Sequence, residues 1–165
     1  MSIFDFKKTD KILRRKILQL GNSPCSDETL LLVFFIKYQK KISPLNKYPY
    51  IFAHEWEVNP GYSNFGIGDL VLADANGKLL VIEIKSLPES KNRTSKRRKT
   101  RKRQKVRCQV SYYHSCLQVK YPFMNIESCY LTNDFIACNP ILQKLFMKFK
   151  EEMISLWKQK IQLRE

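Results

Sequence analysis

The stretch Gly68 to Lys85, GDLVLADANGKLLVIEIK, constrains the fold of this chain more than any other segment. Two apolar runs rich in leucine, valine and isoleucine flank Asp-Ala-Asn-Gly, the pattern of a buried β-hairpin. Both runs carry charge: Asp69 starts the first, and Glu83 and Lys85 end the second. Burying charge is costly unless it is paired or bound to metal, so these three groups require a physical reason.

Side-chain parity narrows that reason. Leu79, Val81, Glu83 and Lys85 share one face of the second strand, and Leu80, Ile82 and Ile84 share the other. Whether Asp69 joins Glu83 depends on the turn. A two-residue Asn76-Gly77 turn pairs Asp69 with Ile84 and scatters the charges. A three-residue loop, Ala75 to Gly77, pairs Asp69 with Glu83 and wants glycine at its left-handed last position, which Gly77 supplies. Two carboxylates side by side are destabilising unless a divalent cation lies between them. Glu-x-Lys alone is a weak signal, common in solvated strands, but VIEIK sits in a nearly unbroken apolar run where a solvated face would alternate.

The rest of the chain supplies a frame for the hairpin. Phe4 to Leu20 reads as a basic amphipathic helix ending at Gly21. Ser26 caps a second, largely buried helix, whose first turn holds Asp27 and Glu28 and whose body, LLLVFFIKYQKKI, is expected to run on until Pro44. Strands are expected near HEWEV, across GIGDLVLA and across KLLVIEIKSL. A basic helix is expected from about Arg97, with Val106, Val110, Tyr113 and Leu117 on its apolar face. SCYLT, Ser128 to Thr132, reads as a fourth strand, and Asn139-Pro140 opens a last helix with Leu142, Leu145, Phe149, Met153 and Leu156 on one face. At 165 residues this is one α/β domain with a mixed central sheet flanked by helices, and it shows no internal repeat.

An aspartate after a glycine, a strand-turn interval and then Glu-x-Lys resembles the PD-(D/E)XK nuclease superfamily, the restriction-endonuclease-like fold. The resemblance covers most of the chain, because the expected order of helix, three strands, helix and strand matches that core, with extra helices at the N- and C-terminal sides. Gln109-Val-Ser-Tyr-Tyr113 resembles the QxxxY helix signature of the subgroup that includes helicase-associated recombination nucleases. Gly68 stands where proline precedes the aspartate in the family pattern. The resemblance implies a metal-dependent nuclease hydrolysing phosphodiester bonds, with Asp69, Glu83 and Lys85 catalytic. Asp69 and Glu83, with the Ile84 backbone carbonyl, would hold Mg²⁺ or Mn²⁺, ions that suit hard oxygen ligands. Lys85 would orient the water or stabilise charge on the reacting phosphate. Glu28 matches a first-helix glutamate that completes the metal shell in parts of the family, and it equally suits the dipole at a helix N-terminus. Gln109 and Tyr113 would support the site from one helix face, with Tyr112 as the alternative tyrosine. Glu57, and with less support Glu55, lies on the preceding strand and could face the site, against a structural or surface role for either.

Charge points to the partner. The chain carries 30 Lys plus Arg against 15 Asp plus Glu, a net +15, which calls for a polyanion, nucleic acid before an anionic membrane surface. DNA is favoured over RNA by the resemblance, and a protein partner or homodimer stays open. The segment at about 88–104 concentrates the cations, with Lys96, Arg97, Arg98, Lys99, Arg101, Lys102, Arg103 and Lys105 as candidate phosphate contacts. A solvated helix face, a nuclear import signal and a segment that orders on binding nucleic acid are the other readings of it. The expected location is intracellular: nuclear in a eukaryote, cytoplasmic otherwise. No apolar run reaches the ~20 residues of a membrane span, and Met1 to Leu20 has charges where a signal peptide is hydrophobic. Five cysteines without CxxC spacing suit a reducing compartment, and His114 with Cys116 lacks the second pair a zinc site needs. The competing class is a catalytically inactive, nuclease-like nucleic-acid-binding module.

Overall fold

The hairpin closes with the three-residue loop. In the computed structural model, which describes residues 3–58, 66–89 and 92–162, strand β2 (Ile67–Ala73) runs antiparallel to β3 (Leu79–Lys85). Leu70 pairs with Ile82 and Ala73 with Leu79. The Asp74 amide donates to the Lys78 carbonyl at 2.9 Å, and Gly77 takes φ +84°, the left-handed conformation such a loop requires. This register, extended one residue past Leu70, sets Asp69 across from Glu83.

Two further strands complete a mixed sheet of order β1-β2-β3-β4. Strand β1 (Tyr50–Glu57) is antiparallel to β2 and begins earlier than HEWEV alone suggests, while β4 (Ile126–Thr132) is parallel to β3. A parallel pair needs a long crossover, here helix α3 (Arg93–Lys120).

Helices cover both faces. Leu70, Leu72, Leu80, Ile82 and Ile84 pack against Ile17 of α1 (Ile3–Leu20), the body of α2 (Asp27–Lys37) and Phe149 of α5 (Pro140–Gln162). Val71, Ala73, Leu79 and Val81 pack under Val110, Tyr113 and Leu117 of α3. The chain is therefore α/β, with a mixed sheet, four-stranded among the described residues, between helical layers.

Several boundaries differ from the sequence reading. Ser26 does cap α2, accepting from the Thr29 amide at 3.2 Å, but α2 ends at Lys37 and not at Pro44. The cause is Gln39, which is buried: its Nε2 donates to the Tyr48 carbonyl at 2.5 Å, and its Oε1 accepts from Arg14 Nη2 at 2.8 Å, so the chain turns there. Helix α3 starts at Arg93, ahead of Arg97, because Asn92 and Ser95 form a reciprocal capping box. Lys91, at the head of the basic run, lies outside the described residues. A short helix α4 (Asn133–Ala137) follows β4. Asn139 Oδ1 accepts from the Ile141 and Leu142 amides at 3.1 and 3.2 Å, which starts α5 at Pro140 as expected. Among the described residues no helix is long and apolar enough to cross a membrane.

Candidate active site

The site lies where the β2–β3 ladder ends. Beyond the last pair, Leu70 with Ile82, the Asp69 carboxylate replaces a ladder acceptor and takes the Ile84 amide at 2.6 Å. Glu83 is only 3% exposed, and among the described residues its Oε2 is buried without a hydrogen-bond partner. Leaving a buried acceptor unpaired is costly, so this oxygen calls for a proton or a cation as its partner. Lys85 continues this face and donates to Glu28 Oε2 at 3.1 Å, drawing the first turn of α2 over the end of β3.

Electrostatics follow from burial. Desolvation pushes the Glu83 carboxyl up to about 7, with further help from the neighbouring Asp69 charge and against the pull of Lys85. Burial also raises Asp69, opposed by the Ile84 amide and Lys85 and reinforced by Glu28 and Glu55. The two carboxyls therefore resist being ionised together, as like charges in one poorly solvated place do. A bound dication would remove that conflict. The donor set fits a hard ion: Asp69 and Glu83 offer oxygens, one of them unpartnered, and Mg²⁺ keeps several waters while using one or two carboxylates. Among the described residues no three His, Cys, Asp or Glu side chains converge as a metal-holding group.

Helix α3 roofs the site. Tyr113 is buried and its ring meets Trp56 edge-on at 5.9 Å, whereas Tyr112 is exposed, so Tyr113 is the tyrosine of the QxxxY stretch that faces the sheet. Burial and then the Glu83 charge raise the Tyr113 hydroxyl pKa, and a hydrogen bond from Gln109 works against them. Gln109 Oε1 is likewise buried without a partner among the described residues. Position 68 has no room for a side chain, because a Cβ built there would overlap the Trp56 indole.

Glu55, not Glu57, is the β1 glutamate beside Asp69. Glu57 pairs farther out, opposite Ile67. A register shift between Ile51 and Ala53 and a left-handed Glu55, φ +49°, re-aim this strand. His54, Glu55, Asp69 and Glu28 line one small cavity of about 150 Å³. Burial lowers the His54 pKa, and its Nδ1 has no partner among the described residues. Parity could not reveal this group, because it depends on one residue in an uncommon conformation. Comparison with family models, with curated proteins and with solved structures finds no match to this chain.

The basic candidates divide in two. Lys96, Arg97, Arg98, Arg101, Lys102 and Lys105 are exposed on α3. Lys99 and Arg103 both meet Asp134 of α4 at 2.5 Å, a latch that sequence reading missed. Next to it, Asn133 Oδ1 accepts from the Leu87 amide at 2.8 Å and its Nδ2 donates to the Leu87 carbonyl at 3.0 Å, fixing the exit from β3. His114 is committed to the Ile126 carbonyl at 3.0 Å, and all five cysteines are free thiols.

Proposed function

We propose that this protein is a metal-dependent nuclease of the restriction-endonuclease-like class, hydrolysing phosphodiester bonds in DNA. One observation carries the reading: at the open end of a buried ladder the Asp69 carboxylate takes the Ile84 amide, its charge and that of Lys85 both act on the buried Glu83 carboxyl, and Glu83 Oε2 has no partner among the described residues. Protein interiors avoid such an arrangement unless a cation belongs there. Asp69 and Glu83, with the Ile84 carbonyl, would hold Mg²⁺ or Mn²⁺, and Glu28 stands close enough to Lys85 to adjust the same site. When bound, the ion supplies Lewis-acid polarisation of a phosphoryl oxygen and a more acidic water.

The chain's own side chains do the rest. Lys85 is a compact positive charge that stabilises the pentavalent phosphate and orients the attacking water, while Glu28 holds its ammonium in place. Asp69, fixed by the Ile84 amide, keeps β2 and β3 in register at the reacting end. Tyr113 and Gln109 close the site from above and limit water on the α3 side. The basic half of α3 draws in the polyanion, and in a eukaryotic cell the same run would serve as an import signal.

A nucleic-acid-binding module is the second reading. It is favoured by the exposed cations of α3, Lys96, Arg97, Arg98, Arg101, Lys102 and Lys105, which would bind a polyanion without any catalytic group. Incubation of purified protein with linear, circular, branched and single-stranded DNA in Mg²⁺, Mn²⁺ or chelator decides between them. Cleavage by wild type that is lost in chelator and in Lys85→Ala supports the nuclease. Binding without cleavage on every substrate supports the module.

A further inference from the structure

The cations of α3 are not one uniform surface. Lys99 and Arg103 lie on the row that continues into Val106 and Val110, and Asp134 engages both. Arg97 and Arg101 each stand nine residues from one of those valines, half a turn out of phase, and so face away from the sheet. Arg98, Lys102 and Lys105 follow each other at spacings of four and three, and Gln109 comes four residues later on the same row. Such spacings stack side chains along one helix face. Lys102 also lines, with Glu28, Ser86 and Leu87, a cavity of about 510 Å³, and Glu28 is the hydrogen-bond partner of Lys85. This row is the one that leads to the site.

We infer that Arg98, Lys102 and Lys105 form a phosphate track that guides one backbone of duplex DNA to the Glu83 end of the sheet. The inference rests on the nuclease reading and adds which cations contact substrate and in what form. From Arg98 to Gln109 the helix rises about 16 Å, the axial length of about five base pairs. A straight row of long cations suits a regular duplex backbone. The cationic stretch from Pro88 to Ser111 has no aromatic side chain, and the first exposed one on this row, Tyr112, comes only past Gln109, so the cations themselves are not interleaved with the stacking platforms by which proteins hold unpaired bases. Asp134, by neutralising the two inward cations, fixes the rotation of the helix and with it the direction in which the track points.

Two triple variants of equal charge test this. Arg98→Gln/Lys102→Gln/Lys105→Gln removes the track, and Arg93→Gln/Arg97→Gln/Arg101→Gln removes the outward row, on which Arg93 precedes Arg97 by four residues. Both leave the Asp134 latch intact. Binding to a duplex of about 20 base pairs, and to one of its strands alone, is measured in chelator across a salt series. The track variant is expected to flatten the slope of log K against log salt by about two to three, and the second variant by less than about one. In Mg²⁺ the track variant should also lose at least about tenfold more cleavage rate than the second, because the scissile phosphate is no longer positioned. Equal flattening by the two variants, or a single strand bound as tightly as the duplex, overturns the track. Wild type that binds the duplex with the expected split between variants but never cleaves it overturns the nuclease reading alone.

Discussion

The Ile84 amide donates to Asp69 Oδ2 at 2.6 Å across the open end of the β2–β3 ladder. One carboxylate thus serves two purposes, closing the hairpin and presenting a second oxygen beside Glu83. Because Ile84 is buried, its amide has no water to turn to if that acceptor is removed.

Asp69→Ala is therefore expected to cost about 1–3 kcal/mol, the penalty of stranding a buried donor. Asp69→Asn keeps an acceptor of the same shape, so its urea midpoint should stay nearer to wild type. Mg²⁺ or Mn²⁺ is expected to raise the melting temperature of wild type, since binding to the native state alone stabilises by mass action, and both variants should lose that rise. An undiminished metal-linked rise in Asp69→Asn would remove this residue from the cation site.

Gly68 holds Asp69 in place by lacking a side chain. A Cβ at this position would overlap the Trp56 indole, which is wedged between Gly68 and Tyr113. Gly68→Ala should destabilise the fold by about 1–3 kcal/mol through overpacking. In a Trp56→Leu background the same substitution should cost much less, because neighbours in contact are not additive. Equal costs in both backgrounds, read from denaturant midpoints, would contradict the packing account.

How far the sequence discloses this site depends on the range of the interactions involved. The Asp69–Glu83 register was legible because loop length, Gly77 and strand parity are local, and together they leave two registers, of which only one wants glycine at the loop's last position. The starts of α2 and α5 were legible for the same reason, through Ser26 and Asn139. The end of α2 was not, because Gln39 is held by Tyr48 and by Arg14, a residue 25 positions away. The Asp134 latch and the placing of Glu55 beside Asp69 were hidden likewise: one joins separate helices, and the other needs a left-handed residue that no propensity announces.

Lys85 separates chemistry from binding. Its ammonium is held by Glu28 and acts on both Asp69 and Glu83, where under the proposed function it would meet the charge that builds on a phosphate during reaction. Lys85→Ala should lower the cleavage rate by about a hundredfold or more while changing duplex affinity only slightly, the signature of an interaction made mainly in the transition state. Single-turnover cleavage and binding in chelator measure the two separately. Matching losses in both would make Lys85 a phosphate-binding lysine.

Glu83 makes stability depend on pH in a direction that tests the whole site. Its carboxyl titrates at about 7 in the folded chain against 4.5 for the free group, chiefly because burial penalises the charged form. Between those values the native state holds more protons than the unfolded state, so metal-free stability should be highest below the lower value and decline as pH rises through the higher one. The full shift corresponds to about 3 kcal/mol at most. Asp69 is raised in the same direction, so the decline belongs to the pair and is spread over the pH range of both. Glu83→Gln should flatten this decline, leaving the variant more stable than wild type at about pH 8 but not at about pH 5. Under the proposed function Mg²⁺ should have the opposite dependence in wild type, stabilising more as pH rises, because it would bind the ionised pair and supply the missing counter-charge. Urea titrations in chelator and in Mg²⁺ across this range read both effects. Parallel pH profiles for wild type and Glu83→Gln would mean that Glu83 is not the strained, buried acid on which the cation site depends.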